Sequence, residues 1–334
     1  STDVDAMIII TGGAGFIGSN LVAALSDRRA GDLIVCDRLG DDDKWRNLAK
    51  HDIAGTITPE ALPGFLDGRG SAVEAIFHMG AISSTTETNA TLIKAENFDT
   101  SLNLWRWCAA HDCRFIYASS AATYGDGALG FDDDGAPEAL ARLRPLNLYG
   151  RSKHLFDRRV ARLVADGARR PRQWAGLKFF NVYGPNEYHK GAMRSIVAKN
   201  HAKAARGEAV TLFKSHHPDY ADGGQLRDFI SVADCVAVML WLYDNPEVDG
   251  LFNLGTGKAR SFADLIAALF AALGRDPVID YVDTPLEIRD NYQYFTQANM
   301  GRLHAAGYHA SFLSLEDGVA DYVKNYLDKD DPYR

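Results

Sequence analysis

Tyr149 and Lys153 are four residues apart in the run LYGRSK. On a helix, this spacing places the phenol and the ammonium group on one face. A free tyrosine has a pKa of about 10, and a fixed positive charge beside it favours the phenolate and lowers that pKa. A phenolate can take a proton from an alcohol while a hydride leaves its carbon. The pair therefore predicts redox chemistry at an alcohol, although a surface helix also produces this spacing by chance.

The elements that must position this pair follow an alternating order. Short apolar runs predict strands at 7–10, 33–36, 75–78, 115–118 and 177–180, with a further strand at 252–255 returning to the main sheet. Helical spacing covers 19–26, 97–110 and 261–274. Strand and helix alternate, which predicts an α/β fold with a doubly wound parallel (Rossmann) sheet.

The alternation weakens after residue 184, where loops become longer and more polar. We expect residues 1–184 to form a dinucleotide-binding Rossmann domain, to which 228–260 returns. Residues 185–334 should form mainly a smaller C-terminal α/β lobe that binds substrate.

A glycine-rich run, GGAGFIG at 12–18, contains Gly-x-Gly-x-x-Gly. It follows a predicted strand and opens a predicted helix, which is the context that dinucleotide binding requires. The glycines let the backbone approach a pyrophosphate, and the helix N-terminus supplies N–H groups and a positive dipole. Cofactor contacts are expected from Gly12, Gly15, Phe16, Ile17 and Gly18.

The residues after the second strand give conflicting signals about the cofactor. Asp37 would accept hydrogen bonds from the ribose hydroxyls, which favours NAD. Arg38 and Lys44 could neutralise a 2′-phosphate, which favours NADP. We expect NADP, with NAD as the alternative.

Composition excludes several classes of protein. The 334 residues carry a net charge of −8, which argues against a general nucleic-acid or anionic-membrane binder. No apolar run reaches the ~18 residues of a membrane span, and we find no secretion signal. The four scattered cysteines favour neither zinc nor a disulfide framework. We expect a cytoplasmic protein without a metal, whose aspartate runs at 41–43 and 132–134 are solvated.

With the run ASSAATYG at 118–125 added, the chain resembles the extended short-chain dehydrogenase/reductase family over about residues 7–328. Three longer runs resemble the nucleotide-sugar epimerases of that family that act on ADP-heptose: HMGAISSTTE at 78–87, FNVYGPNEYHKG at 180–191 and YQYFTQA at 292–298. The resemblance implies interconversion of ADP-D-glycero-β-D-manno-heptose and its L-glycero epimer at C6. Transient oxidation and re-reduction would invert that centre, for lipopolysaccharide core biosynthesis.

The same resemblance implies roles for four side chains. Hydride leaves one face of C6 and returns to the other, which needs two proton-transfer groups for the attached oxygen, or one group and a moving sugar. Tyr149 is one candidate, and the family's second base corresponds to Lys190. A lysine in a dry site can have a lowered pKa, as a general acid/base needs. Ser120 would hydrogen-bond the reacting hydroxyl, and Lys153 would bind the nicotinamide ribose as well as tune Tyr149.

Further contacts are implied on both sides of the site. Those expected for the cofactor, beside Lys153 and Lys190, are Met79, Gly80, Ala81, Ile82, Ser83, Asn97 and Val182. Those expected for the ADP-heptose, beside Ser120, are Asn181, His189, Ala192, Arg227, Arg289 and Tyr292. A homo-oligomer is expected by analogy.

The chain departs from the family pattern in three places. Ala192 replaces a serine near the sugar, Pro59 replaces a lysine that binds cofactor in some members, and the loop 214–225 is longer. These departures affect the expected sugar contacts and weaken the case for NADP, but leave the reaction class unchanged.

Three other functions remain open. A UDP-hexose 4-epimerase would share Ser120, Tyr149 and Lys153 but has no need for Lys190. A 4,6-dehydratase commonly needs an Asp-Glu pair where this chain has Ala121-Ala122. A non-catalytic NADP-binding module typically loses the Tyr/Lys pair, which this chain keeps.

Overall fold

Thirteen strands are present in the computed structural model, which describes residues 5–334. Their bounds are β1 (Met7–Thr11), β2 (Asp32–Cys36), β3 (Gly55–Ile57), β4 (Val73–His78), β5 (Arg114–Ser120), β6 (Trp174–Phe179), β7 (Asn181–Tyr183), β8 (Val210–Phe213), β9 (Leu226–Arg227), β10 (Phe229–Ser231), β11 (Gly250–Leu254), β12 (Arg260–Ser261) and β13 (Ile279–Val282).

Seven of these strands form one parallel sheet in the order β11-β6-β5-β4-β1-β2-β3. Ile8, Ile9 and Ile10 are completely buried, because helices cover both faces of the sheet. The predicted α/β fold with a parallel Rossmann-type sheet is confirmed. Only β3 lacks a counterpart among the predicted strands of this sheet, since it is a three-residue edge strand without a continuous apolar run.

Helices connect and flank the strands. Their bounds are α1 (Phe16–Asp27), α2 (Leu62–Leu66), α3 (Ala90–Ile93), α4 (Thr100–Ala110), α5 (Pro137–Leu140), α6 (Leu148–Ala165), α7 (Ile196–Ala205), α8 (Val232–Asp244), α9 (Phe262–Ala272), α10 (Leu286–Arg289), α11 (Gly301–Ala306) and α12 (Leu315–Tyr322). A 3-10 turn covers Tyr188–Met193.

The strand order reverses at β1, which pairs with β2 on one side and β4 on the other. Connections leave this point in opposite directions, so a crevice opens at the carboxyl ends of β1 and β4. The glycine run at 12–18 and the loop at 79–83 both begin there. The fold thus brings together two segments that are far apart in the chain.

A smaller group of elements follows β6. Strands β8 and β13 form a parallel pair, and β9 and β12 an antiparallel one. Helices α7, α9 and α12 pack around a separate apolar cluster that includes Leu269, Phe270 and Val319. The loop 214–225 folds onto Tyr294, whose ring centroid is 5.2 Å from those of His217 and Tyr220.

Within residues 5–334, no helix is both long and apolar enough to cross a bilayer. All four cysteines are buried as free thiols. The same part of the chain contains no cluster of three His, Cys, Asp or Glu side chains arranged to hold a metal ion. The expectation that the aspartates at 132–134 are solvated is wrong for Asp133, which is buried and accepts a hydrogen bond of 2.7 Å from the Asn253 amide.

Candidate active site

Helix α6 carries the Tyr/Lys pair. The Asn147 side chain caps its first turn by accepting a hydrogen bond of 2.7 Å from the Gly150 amide. Tyr149 lies half-buried at the cleft, and Lys153, which is 4% exposed, donates its ammonium to the Ala118 carbonyl at 2.7 Å. Ser120, at the end of β5, lines the same cleft. The structure therefore brings Ser120, Tyr149 and Lys153 together.

The protonation of this pair differs from the sequence expectation. Burial raises the pKa of Tyr149, and a hydrogen bond with Ser120 only partly opposes that effect. Burial also lowers the pKa of Lys153 to about 8. The expected lowering of the Tyr149 pKa by Lys153 is wrong for this structure, because the cost of burying a phenolate dominates. Tyr149 is consequently held in its protonated form.

The glycine loop fits a dinucleotide. A Cβ added at Gly12, where φ is 62°, would lie 2.6 Å from Gly80, and one at Gly18 would lie 2.1 Å from the Gly12 carbonyl oxygen. The loop therefore closes only without side chains at these positions. In the described chain, no side chain caps the N-terminus of α1, which leaves its first amides to a bound anion.

Asp37 is tied to the glycine loop. Its carboxylate accepts hydrogen bonds from the Ala14 amide at 3.0 Å and from the Lys44 ammonium at 2.8 Å. Asp37 and Lys44 both line the cleft. Arg38 instead turns away, since its guanidinium pairs with Glu60 and, at 3.4 Å, with Glu96. One of the two expected cations thus lies at the cofactor end of the cleft.

The loop 79–83 forms the opposite side of this end. Met79, Gly80, Ala81 and Ser83 line the cleft. Asn97 does not line it but holds the loop, because its amide bonds both the N–H (2.8 Å) and the carbonyl (3.0 Å) of Ile82. Asn97 also donates to Ser152 on α6 at 3.0 Å. Asn97 and Ile82 were expected to contact the cofactor, but neither lines the cleft; their hydrogen bonds instead fix the loop 79–83.

Lys190 enters the cleft from the 3-10 turn that follows β7. Its ammonium lies 5.3 Å from the centroid of the Phe16 ring, at the start of α1. Burial lowers the pKa of Lys190, and the Glu187 carboxylate opposes the shift. His189 approaches Asn47 at 3.3 Å, and Asn181 and Val182, on β7, also line the cleft.

The segment that carries Lys190 is fastened on its N-terminal side. Asn186, buried with φ at 76°, donates to the Ser19 hydroxyl on α1 at 3.0 Å. Its side-chain oxygen accepts a hydrogen bond of 3.0 Å from the Arg334 amide. The Tyr188 hydroxyl donates to the Pro332 carbonyl at 2.8 Å. Residues 332–334 therefore clasp the segment against the cofactor end of the cleft.

The substrate end contains the other cations. The Arg227 guanidinium lies between the rings of Phe262 (5.3 Å) and Tyr292 (5.4 Å), and burial lowers its pKa. Tyr292 lines an adjoining hollow rather than the main cleft. Arg289 lies outside both, because it donates to the Thr284 carbonyl at 2.9 and 3.2 Å.

Ala192 and Arg194 follow Lys190 in the chain and differ in whether they line the cleft. Ala192 is exposed beside the cleft and is absent from its lining. Arg194, which the sequence reasoning missed, lines the cleft and donates to the Gly191 carbonyl at 2.9 Å. Its spacing from Lys190 gives no signal, because the turn between them is interrupted at Gly191. Together these walls enclose a cleft of about 910 Å³, large enough for a dinucleotide and part of a second ligand.

Comparison with known proteins agrees with this geometry. A model of the NAD dependent epimerase/dehydratase family matches residues 8–255. The chain belongs to this family. A curated relative, the ADP-L-glycero-D-manno-heptose-6-epimerase of Nitratidesulfovibrio vulgaris strain Hildenborough, is 50% identical over 335 residues, covering 98% of this chain and 100% of that protein. The resemblance inferred from the sequence motifs is confirmed.

Solved structures of the family share the whole architecture. The ADP-L-glycero-D-manno-heptose-6-epimerase of Helicobacter pylori superposes with a TM-score of 0.80 and 27% identity, covering 96% of both chains. MoeE5, solved with UDP-glucuronic acid and NAD, gives a TM-score of 0.71 and 25% identity, covering 94% of this chain and 97% of that one. Binding of a nicotinamide dinucleotide is therefore a property of the family to which the chain belongs.

Proposed function

We propose that the protein interconverts ADP-D-glycero-β-D-manno-heptose and ADP-L-glycero-β-D-manno-heptose at C6, as a step toward the lipopolysaccharide core. The observation that carries this proposal is Lys190, which lines the same cleft as Ser120, Tyr149 and Lys153. A dehydrogenase that works on one face needs only the latter three residues. Inversion at C6 needs either a second proton-transfer group or a sugar that turns past a single group, and Lys190 offers the second group. The names of the relatives point to the same reaction.

The pKa values of the two proton-transfer groups, Tyr149 and Lys190, are shifted in opposite directions. When bound, the nicotinamide supplies a reversible hydride acceptor for C6. Burial raises the pKa of Tyr149 and lowers that of Lys190. The protein thus presents one group that holds its proton more tightly than a free tyrosine and one that loses it more readily than a free lysine, which suits acid and base steps. Ser120 orients the C6 oxygen, and Lys153 holds the nicotinamide ribose.

For the cofactor we propose NADP rather than NAD. Lys44 lies beside the Asp37 carboxylate, where a ribose 2′-phosphate would be placed, and Arg38 could join it by leaving its exposed partner Glu60. Titration with both cofactors tests this choice. NADP should bind more tightly, and Lys44→Ala should weaken NADP by about tenfold while leaving NAD affinity unchanged. Tighter binding of NAD by the unaltered protein would overturn it.

Substrate contacts follow from the remaining lining residues. We propose that Arg227 and Arg194 bind the diphosphate, and that Asn181 and His189 contact the sugar. Arg289 and Ala192 are omitted because neither lines the cleft.

We further propose a division at residue 184 between cofactor and substrate lobes, with 228–260 belonging to the first. Assembly as a homo-oligomer and a cytoplasmic location complete the proposal.

Incubation with ADP-D-glycero-β-D-manno-heptose, followed by NMR at C6, tests the activity. Appearance of the L-glycero epimer is the expected result. Turnover of UDP-galactose without turnover of the ADP-heptose would indicate a UDP-hexose 4-epimerase instead. Loss of water from the sugar would indicate a dehydratase, although Ala121 and Ala122 line the cleft without an acidic group. Cofactor binding without turnover of either nucleotide sugar would indicate a non-catalytic NADP-binding module.

A further inference from the structure

A buried ion pair lies directly behind the Tyr/Lys pair. The side chains of Asp157, on α6, and Lys178, on β6, are both 0% exposed, and their closest charged atoms are 3.9 Å apart. Neither residue lines the cleft. Because burying two charges costs more than a pair at this distance readily returns, stability alone is a weak reason for the pair.

Asp157 continues the catalytic face of α6 by one more turn. It follows Lys153 by four residues, as Lys153 follows Tyr149. Its carboxylate accepts hydrogen bonds from the Ser119 hydroxyl at 2.6 Å and from the Tyr117 hydroxyl at 2.9 Å. Lys153 itself donates to Ala118. Two successive turns of the helix are therefore joined to three consecutive residues of β5, up to the neighbour of Ser120.

Lys178 is held from the other side. Its ammonium donates to the Thr123 hydroxyl at 2.9 Å and lies 4.2 Å from the centroid of the Tyr124 ring. Both partners belong to the turn that follows Ser120. The cation is thus fixed to the same strand end that Asp157 and Lys153 engage, so the three charged groups form one buried row.

We propose that Lys178 and Asp157 are positioning residues, of which the first keeps the Asp157 carboxylate ionised and the second keeps the Lys153 ammonium charged. This inference rests on the proposed function, which gives Lys153 its part in the reaction. It adds to that function a pair of side chains that touch neither substrate nor cofactor.

The groups that face Lys153 act in opposite senses. Burial lowers its pKa to about 8, and Asp157 raises the pKa. The His78 ring on β4 also faces Lys153, whose positive charge together with burial lowers the pKa of His78. For Asp157 itself burial raises the pKa, while Lys178, the hydroxyls of Ser119 and Tyr117, and Lys153 oppose that rise. Asp133 also faces Lys178. Removing the Asp157 charge should therefore lower the pKa of Lys153 and deprotonate it at working pH.

Lysine ε-nitrogen NMR of the full-length protein tests the inference. The Lys153 signal is assigned by its loss in Lys153→Met, and its titration is compared between variants. Asp157→Asn should move the Lys153 titration about one pH unit or more downward. Lys178→Met should move it in the same direction, because Asp157 then holds a proton, whereas Lys178→Arg should leave it in place.

Asp234→Asn provides the matched control. Asp234 is also a buried carboxylate with a raised pKa, and it accepts a hydrogen bond of 2.9 Å from the Leu313 amide, away from this row. The control should leave the Lys153 titration unchanged. An unchanged Lys153 titration in folded Asp157→Asn, or in folded Lys178→Met if only that variant folds, overturns the inference. Failure of both variants to fold shows that the pair is merely structural and overturns it as well.

The pH profile of epimerisation gives a second reading. The alkaline limb of kcat should move to lower pH in Asp157→Asn, since Lys153 then loses its proton earlier. In Lys178→Arg it should stay at the wild-type position. If the unaltered protein does not epimerise ADP-heptose, the proposed function fails while the NMR titration still decides the inference. An unmoved Lys153 titration in an active enzyme would overturn the inference alone.

Discussion

The two proposed proton-transfer groups lie on structurally different supports. Tyr149 is part of an 18-residue helix that is capped by Asn147 and packed along β5. Lys190 is part of a six-residue 3-10 turn that is interrupted at Gly191, where φ is 57°. One group is fixed by a long element and the other is presented by a short, adaptable one.

This difference matches what inversion demands. The sugar must present two faces of C6 to one cofactor, so at least one contact has to adjust while the other defines the reacting position. We expect the Tyr149 wall to stay fixed and the Lys190 wall to adjust. Variants that remove or alter either the Tyr149 wall or the Lys190 wall test this expectation.

The largest effect is expected for Tyr149→Phe. It removes the phenolic proton while α6 keeps its shape, so kcat should fall by about 10²–10⁴-fold with cofactor affinity unchanged. Initial rates with ADP-heptose and a cofactor titration measure both quantities. Tyr308→Phe, which changes a buried tyrosine far from the cleft, is the control. A kcat within twofold of the wild type would exclude Tyr149 as a proton-transfer group.

Lys190→Met should lower kcat by about 10²-fold or more, because it removes the second group while keeping an unbranched apolar stem. Lys190→Arg should fail to restore turnover, since a guanidinium does not give up its proton near neutral pH. Steady-state rates of the two variants provide the measurement. Rescue by arginine would mean that Lys190 acts only as a positive charge.

Gly150 directly follows Tyr149, and Gly191 directly follows Lys190. Substituting either glycine alters the backbone that supports a proton-transfer group without changing the group itself. A Cβ at Gly191 meets nothing within 4 Å, but its backbone conformation disfavours side chains and costs about 1–3 kcal/mol to impose. Gly191→Ala should therefore shift Lys190 and lower kcat by about tenfold to a hundredfold. A Cβ at Gly150 would lie 2.9 Å from the Ala122 carbonyl, so Gly150→Ala should mainly lower the melting temperature. If the two variants lowered kcat and the melting temperature to the same extent, the proposed difference between the supports of Tyr149 and Lys190 would be wrong.

The smallest effect is expected for Tyr188→Phe. It removes the hydrogen bond to the Pro332 carbonyl and should lower the free energy of unfolding by about 0.5–1.5 kcal/mol, with kcat little changed. Denaturant titration measures the loss. A large fall in kcat with this variant would show that the Lys190 wall depends on the clasp more than on its own turn.

Much of the fold was predictable because its signals are local. Buried parallel strands such as β1 are continuous apolar runs, and the glycine loop must follow a strand and open a helix. The pair of Tyr149 and Lys153 was predicted for the same reason, whereas Ser120 was predicted from the family resemblance. The edge strand β3 was not, because its pattern is neither long nor fully apolar.

The remaining features depend on contacts between distant segments. The pairing of Asp157 with Lys178, and of Asn186 with residue 334, has no local signature. The direction of the Tyr149 pKa was predicted wrongly, since the i, i+4 spacing shows the neighbouring ammonium but not the depth of burial. Arg38 illustrates the same point: its type suggested phosphate binding, whereas its two acidic neighbours come from elsewhere in the chain.

The clasp formed by residues 332–334 has a consequence for the lifetime of the bound dinucleotide. The segment it secures crosses the start of α1, where Asn20 also donates to the Pro185 carbonyl at 2.9 Å. Lys190 and His189, which the segment carries, line the cleft together with the glycine loop. A reaction that returns its dinucleotide unchanged has no need for release in each cycle. We therefore expect the dinucleotide to remain through purification and to behave as a prosthetic group rather than as a co-substrate.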